Sequence, residues 1–198
     1  MSPMQLLTFY RLAEKLKTTL RHSWLNDGQR QESVAEHSWM MCLLAMVLAP
    51  KMKTPLNLEK VLKMCVIHDL AEAVTQDLPV WQGIKNKKEK LKAERVAIIK
   101  IFKQLDSETS QGCLSLWEEY EERKSPEALF VKAIDTLDVI AQHNVAPLET
   151  WDKNDYHWQL SSLQDAFFDI DPLLEKIKDE IDRWTNEKTK DSQKENND

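Results

Sequence analysis

Apolar residues recur every three or four positions along most of this chain, the spacing that places side chains on one face of an α-helix. Residues 33–49 show it clearly, because Ser33 and Glu36 form a capping-box sequence before an apolar run. No stretch shows the alternation of apolar and polar residues that is typical of a strand. The chain has only three glycines in 198 residues, which favours helices over turn-rich folds. We predict a single all-α domain built as a helical bundle.

Capping residues and prolines define the expected helix boundaries. Asn57 precedes one helix, Pro126 fits the first position of another, and Asp171 with Pro172 opens the last. The predicted helices span residues 4–20, 33–49, 58–74, 83–105, 114–123, 126–143 and 172–184. The predicted loops are 21–31, with an Asn-Asp-Gly turn, and 151–158. We assign the domain to residues 1–185 and predict a disordered polar tail over 186–198.

Composition and charge exclude several classes of function. The net charge is −6, so we expect no nucleic-acid partner, although a local cation could still bind a small anionic substrate. The longest apolar run, residues 40–50, is much shorter than the roughly 20 residues needed to span a membrane. We also expect no signal peptide and no membrane association, because charged residues come too early at the N-terminus. The three cysteines form no CxxC pair, which predicts reduced thiols in a cytoplasmic protein.

Three predicted helices direct ionisable side chains toward the interior. The residues are His37 in the second helix, His68 or Asp69 followed by Glu72 in the third, and Asp135 and Asp138 in helix 126–143. Each of these features has an ordinary explanation when taken alone. His37 could be a hydrogen-bonded core histidine, the His68-Asp69 pair could occur by chance, and Asp135 could pair with a lysine or arginine. Burying an unpaired charge costs several kcal/mol, however, so ionisable groups from three helices need a common partner. A divalent metal suits imidazole and carboxylate ligands, and we predict one ion held by His37, His68, Asp69 and Asp135.

The order of these residues, H…HD…D, resembles the motif that names the HD-domain superfamily of metal-dependent phosphohydrolases. The likeness extends over about residues 6–145 through the runs RHSW, ESVAEHS, VLKMCVIHDLAEAVTQDLP and SPEALFVKAIDTLD. These runs are similar to the branch of small 5′-deoxynucleotidases, which act on nucleoside monophosphates. The resemblance implies a helical HD bundle, a homodimer, and activity with one divalent ion such as Co²⁺, Mn²⁺ or Mg²⁺, with Zn²⁺, Fe²⁺ or Ni²⁺ as alternatives.

The resemblance also implies roles for particular residues. The metal ligands match His37, His68, Asp69 and Asp135, and the catalytic carboxylate matches Glu72. Substrate recognition matches Arg21, Trp24 and Asp77. Two departures affect the substrate segments, because Ser23 and Gln76 stand where members often have glycine. The other histidines, His22, His143 and His157, have no matching partners in the sequence and no predicted role.

The sequence leaves several functions open. An HD hydrolase of another nucleotide phosphoester is one alternative, and a catalytically idle protein that binds metal or nucleotide as a regulator is another. Glu72 favours an enzyme, because a protein that only binds has no need of a proton-transferring carboxylate. Each substrate residue also has an ordinary explanation: Arg21 as a surface cation, Trp24 as a packing aromatic, and Asp77 as a cap for the turn at Pro79.

Overall fold

The buried helix Pro126–Val145 lies at the centre of the structure, a computed structural model that describes residues 1–79 and 87–195, with side chains to residue 190. In these ranges the helices are α1 (Pro3–Ala13), α2 (Val34–Leu48), α3 (Leu58–Ile67), α4 (Glu72–Thr75), α5 (Lys87–Phe102), α6 (Ser107–Glu122), α7 (Pro126–Val145), α8 (Lys153–Gln159) and α9 (Pro172–Glu195). The strands are β1 (Leu20–Trp24) and β2 (Gln31–Ser33), and short 3₁₀ turns cover Glu14–Lys17, Ala49–Lys51, Leu148–Thr150 and Ser162–Phe167. The predicted all-α fold class is confirmed.

Helix α7 is the centre of the main apolar core. Pro126 occupies its first turn, as the sequence predicts, and Ser125 caps it. Its apolar side chains pack against α2, α3, α6 and α9. Phe130 and Ile134 are fully buried there, and such burial stabilises the fold by roughly 1.5–3 kcal/mol per large side chain. Helices α2 and α7 carry His37, Asp135 and Asp138. The end of α3 leads directly into His68 and Asp69, so the core brings these residues together.

The predicted loop 21–31 is wrong in part, because its ends pair as an antiparallel hairpin. Leu20 pairs with Ser33 and Trp24 with Gln31. Gly28, with φ +65°, lies in the connecting turn and adopts a conformation that costs glycine little. Strands of five and three residues are too short to show alternation in the sequence, and a contact across the turn stabilises them instead. In that contact Ser23 donates a hydrogen bond to the buried Glu32.

The predicted helix 58–74 is also wrong in its second half. Helix α3 ends at Ile67, and the chain turns through residues 68–71 before the short α4. The amides of Leu70 and Glu72 donate to the carbonyls of Ile67 and Asp69, three residues earlier. These i→i+3 bonds tighten the turn in place of regular α-helical bonds. His68 and Asp69 therefore lie at a helix end rather than inside a helix.

Several further boundaries differ from the prediction. The predicted helix 4–20 ends at Ala13 as α1, a 3₁₀ turn follows over Glu14–Lys17, and Leu20 already belongs to β1. Helix α6 begins at Ser107 rather than 114, because Asp106 caps it. The predicted loop 151–158 contains α8, which Asp152 and Asp155 open with a capping box.

The predicted end of the last helix near Trp184 is wrong, and the predicted disorder from residue 186 is corrected because α9 continues to Glu195. Lys188 in this extension donates to the carbonyls of Asn144 and Ala146 at the end of α7, which gives the polar segment a packing partner. Residues 80–86, which include the predicted start of the helix 83–105, and 196–198 lie outside the described residues. Within the described ranges, no helix is both long and apolar enough to cross a membrane.

Candidate metal centre and active-site cavity

His37 lies in the first turn of α2, with its imidazole fully buried. The capping box of Ser33 and Glu36 starts the helix at this point. His37 Nδ1 lies 2.6 Å from Asp138 Oδ2, and His37 Nε2 lies 3.3 Å from Asp135 Oδ1. Asp138, which the sequence directs toward the interior without a predicted role, therefore orients the imidazole, while Nε2 points toward Asp135.

His68 and Asp69 reach the same point from the end of α3. His68 Nδ1 lies 2.9 Å from the carbonyl oxygen of Cys65, so this nitrogen carries the proton and donates it. The lone pair of Nε2 is then left available. Asp69 Oδ2 lies 3.0 Å from His68 Nε2 and 3.8 Å from His37 Nε2. The indole of Trp117 donates to the backbone carbonyl of His68 at 3.1 Å, which holds the turn in place.

The four predicted ligands therefore converge, and their donor atoms suit a divalent ion. His37 Nε2 and His68 Nε2 are buried and make no hydrogen bond to any described residue. His37, His68 and Asp135 offer donor atoms that all lie within 4.8 Å of one another. Buried nitrogen atoms without hydrogen bonds are costly, and a cation between them and the carboxylates would satisfy both kinds of group. The side chains present fit a metal.

Two basic side chains, Arg21 and Lys132, lie beside this cluster. Arg21 on β1 is largely buried, and its Nη1 lies 3.1 Å from Asp69 Oδ2. Burial alone would lower the pKa of Arg21, but Asp77 and Asp69 raise it, so the guanidinium stays charged. Lys132 Nζ lies 2.6 Å from Asp135 Oδ2. Burial alone would raise the pKa of Asp135, but the charge of Lys132 holds it well below its usual range. The Asp135 carboxylate is therefore ionised.

Glu72, the first residue of α4, has a different environment from these aspartates. Burial and the nearby charges of Asp69 and Asp77 raise the pKa of Glu72 well above its usual value. Its Oε2 is buried without a hydrogen bond to any described residue, and Lys90 Nζ lies 3.6 Å from Oε1. A carboxyl group in this state can hold a proton at neutral pH and transfer it.

A cavity of about 300 Å³ opens beside the cluster. Its wall includes the predicted residues Arg21, His68, Asp69, Glu72, Asp77 and Asp135, with the additional cations Lys87, Lys90, Arg123 and Lys132. Trp24 is not among the described residues that line it, whereas Trp158 is. The backbone carbonyl of Trp24 instead accepts a hydrogen bond from Gln142 at 2.6 Å.

Sequence reasoning missed several residues of this site, among them Lys132, Tyr120 and Trp158. Lys132 stands three positions before Asp135 on the same helix, and that spacing is a signal that could have found it. Tyr120 donates to Asp135 Oδ2 at 3.3 Å from another helix, and no local pattern indicates this contact. Trp158 lies in the segment predicted to be a loop.

Comparison with known families agrees with the geometry. A family model described as "HD domain" matches residues 13–178. The chain belongs to the HD-domain family, as its motifs predict, and the predicted HD-type helical bundle is confirmed.

Curated relatives are similar over most of the chain. The 5′-deoxynucleotidase HDDC2 of Dictyostelium discoideum is 36% identical over 142 residues, which cover 69% of this chain and 74% of that protein. The 5′-deoxynucleotidase hdd1 of Schizosaccharomyces pombe is 35% identical over 144 residues, covering 70% of this chain and 71% of that protein.

Solved structures support the fold. A "predicted metal-dependent phosphohydrolase" from Magnetospirillum magnetotacticum MS-1 has a TM-score of 0.74 and 26% identity, covering 94% of this chain and 95% of that chain. The PH0347 protein of Pyrococcus horikoshii OT3 has a TM-score of 0.66 and 30% identity, covering 90% of this chain and 99% of that chain. Together with the sequence relatives, they indicate an HD-domain phosphohydrolase related to 5′-deoxynucleotidases at moderate identity.

Proposed function

We propose that this protein is a metal-dependent 5′-deoxynucleotidase, which removes the 5′-phosphate from deoxynucleoside monophosphates. The observation that carries the proposal is the convergence of His37, His68 and Asp135 beside a cavity lined by Arg21 and Glu72. Such a site combines metal ligands, an anion-binding cation and a proton-transferring carboxyl group, which are the parts that phosphate-ester hydrolysis needs. The names of the curated relatives support this substrate class.

We propose that His37, His68, Asp69 and Asp135 hold one divalent ion, with Co²⁺, Mn²⁺ or Mg²⁺ as the first candidates and Zn²⁺, Fe²⁺ or Ni²⁺ as alternatives. When bound, the ion supplies Lewis-acid activation of water and of the phosphoryl oxygens. Asp138 fixes the orientation of the His37 imidazole through the 2.6 Å contact at Nδ1. The Cys65 carbonyl does the same for His68.

Arg21 and Lys132 are the phosphate-binding groups in this proposal. In the structure each contacts a ligand carboxylate, Asp69 or Asp135. A cation shared by those carboxylates would neutralise them, so the two basic side chains would be available to the phosphate oxygens. The planar guanidinium of Arg21 can donate two parallel hydrogen bonds to a phosphate.

Glu72 is the proton-transfer residue in this proposal. Hydrolysis joins the oxygen of water to phosphorus and breaks the P–O5′ bond, so a proton leaves the water and a proton reaches the 5′-oxygen. The raised pKa of Glu72 and its unbonded Oε2 suit either transfer.

The nucleoside would extend toward Asp77, where the cavity continues. The Asp77 carboxylate can accept a hydrogen bond from the sugar 3′-hydroxyl. Trp158 lines the same wall, and its indole can stack on the base or the sugar. Trp24 was predicted to do this; we propose Trp158 instead, because Trp158 lines the cavity and Trp24 is not among the described residues that do.

A phosphate-release screen tests the proposed function. The full-length protein would be stripped of metal, reloaded separately with Co²⁺, Mn²⁺ or Mg²⁺, and given deoxy- and ribonucleoside monophosphates, triphosphates and cyclic nucleotides. We expect phosphate release from the deoxynucleoside monophosphates. Turnover confined to triphosphates or cyclic nucleotides would contradict this substrate class, and metal binding without turnover would favour the idle regulator.

The expected homodimer is a separate proposal, with a second copy of this chain as partner. Helix α2 exposes the large apolar side chains Trp39, Leu43, Met46 and Val47, and contiguous patches of this kind mark protein contacts. Sedimentation velocity should show a dimer that Trp39→Asp weakens. A monomer at micromolar concentration would contradict it.

A further inference from the structure

Two of the histidines without a predicted role meet at one carboxylate. His22 on β1, His143 on α7 and Asp155 on α8 come from three separate elements. Asp155 Oδ1 lies 3.1 Å from His22 Nε2 and 3.2 Å from His143 Nε2. His143 and Asp155 are buried, and His22 is partly exposed.

The hydrogen bonds of His143 define which of its nitrogens carries the proton. His143 Nδ1 lies 2.8 Å from the carbonyl oxygen of Val139, one turn earlier, so Nδ1 donates its proton there. In the neutral ring the lone pair of Nε2 then points at Asp155 Oδ1. Two lone pairs at 3.2 Å repel each other, so this contact requires either a second proton on the ring or a cation shared with the carboxylate.

Two of the three distances between donor atoms match a coordination shell, and all three atoms lie within 4.8 Å of one another. Metal–nitrogen and metal–oxygen bonds of about 2.0–2.2 Å place neighbouring donors about 2.8–3.6 Å apart in octahedral or tetrahedral geometry. The two contacts of Asp155 Oδ1, at 3.1 and 3.2 Å, lie in this range. Asp155 Oδ2 accepts the amide of Asp152 at 2.8 Å as part of the capping box of α8, which holds the carboxylate still.

We propose that His22, His143 and Asp155 form a second metal site, which takes a borderline divalent cation such as Zn²⁺. The three ligands leave coordination positions for water, and a small cavity lined by Arg21, Asp77 and Trp158 adjoins them. An ion here links β1, α7 and α8, and so braces the strand that carries Arg21. The site is separate from the cluster of His37 and His68 and does not rest on the proposed function.

Zinc content measured by elemental analysis tests this site. The full chain would be stripped with a chelator, dialysed against Zn²⁺ and then against buffer. We expect His22→Gln and His143→Gln each to hold one equivalent less than the wild-type chain. His157→Gln is the matched control, because His157 is exposed on the same short helix as Asp155, and it should retain the full content.

A second set of variants separates the two sites. Asp135→Asn should also lose one equivalent, and the double variant of Asp135 and His22 should lose two. Circular dichroism would verify that each variant folds. If His143→Gln, at a buried position, does not fold, the zinc content of His22→Gln, at a partly exposed position, tests the site alone. If folded His22→Gln holds as much zinc as His157→Gln, the proposal is overturned. The cluster would then be an ion pair between histidine and carboxylate without a metal. This result would not depend on whether the enzyme hydrolyses a nucleotide.

Discussion

The two histidine–aspartate clusters are built in the same way but have different surroundings. In each, a histidine donates a hydrogen bond from Nδ1 to a backbone carbonyl about one turn earlier. The distance is 2.9 Å for His68 and 2.8 Å for His143. In each, Nε2 then faces an aspartate, at 3.0 Å from Asp69 and 3.2 Å from Asp155. The local geometry alone would give both clusters the same capacity for a cation.

The difference lies in the neighbouring side chains. The first cluster opens into a cavity of about 300 Å³ that Arg21, Lys132 and Glu72 line. The second cluster adjoins a smaller cavity, where Arg21 is the one described lysine or arginine in the wall. In our proposals, ligand geometry accounts for metal binding at both clusters, whereas basic side chains and a carboxyl group of raised pKa make only the first cluster suitable for hydrolysis.

The largest expected effect comes from removing a ligand of the first cluster. Asp135→Asn keeps the side-chain shape but removes the charge that the ion requires, so we expect loss of the ion and a fall in kcat of about 1,000-fold or more. Phosphate release and elemental analysis on the same sample would measure both. Asp169→Asn, at an exposed position, is the control. Full activity in Asp135→Asn would contradict the ligand assignment.

Glu72→Gln tests whether proton transfer can be separated from metal binding. We expect kcat to fall about 10²–10⁴-fold while metal content stays at the wild-type level, because Glu72 is not one of the proposed ligands. Glu118→Gln provides the matched control, since Glu118 is a partly exposed residue of α6 paired with Arg95. A Glu72 variant that loses metal would instead place this carboxylate among the ligands.

A smaller effect is expected from Arg21→Lys, which keeps the charge but loses the planar donor pair. We expect KM to rise about tenfold, equivalent to about 1.4 kcal/mol, with a smaller change in kcat. Arg11→Lys on α1, at an exposed position, should leave KM unchanged. Equal KM values for Arg21→Lys and Arg11→Lys would show that Arg21 does not bind the phosphate.

The two clusters also differ in how far the sequence predicts them. His37, His68 and Asp135 lie on or beside apolar stripes with helical spacing, so periodicity alone places them toward the core. The contact of His22 with Asp155 joins residues 133 positions apart. One of these residues lies in a two-stranded hairpin and the other in a short helix, and the sequence predicts both segments to be loops.

Dependence on contacts between distant residues also explains the other errors in the predicted helices and loops. Local patterns predict helices with strong caps, such as α2 and α7. They do not predict a helix end such as that of α3, where the chain turns through i→i+3 bonds, nor an extension such as that of α9, which depends on contacts with α7. Pairing between distant polar groups leaves no periodic signal.

The smallest predicted effect concerns the extension of α9 and affects only the second cluster. Lys188 Nζ donates to the carbonyl of Asn144 at 2.8 Å and to that of Ala146, and lies 5.5 Å from the centroid of the Trp151 ring. Loss of these charge-assisted bonds in Lys188→Met should lower the free energy of unfolding by about 1–2 kcal/mol.

For a chain of this size, the loss corresponds to a fall in Tm of about 2–4 °C per kcal/mol. Lys190→Met, exposed on the same helix, is the control in a thermal unfolding experiment. Because Lys188 holds the end of α7 next to His143, the variant should weaken zinc retention at the second cluster and leave phosphate release unchanged. Equal Tm values for the two variants would mean that the α9 extension does not support this end of α7, and the second cluster would then depend on β1 and α8 alone.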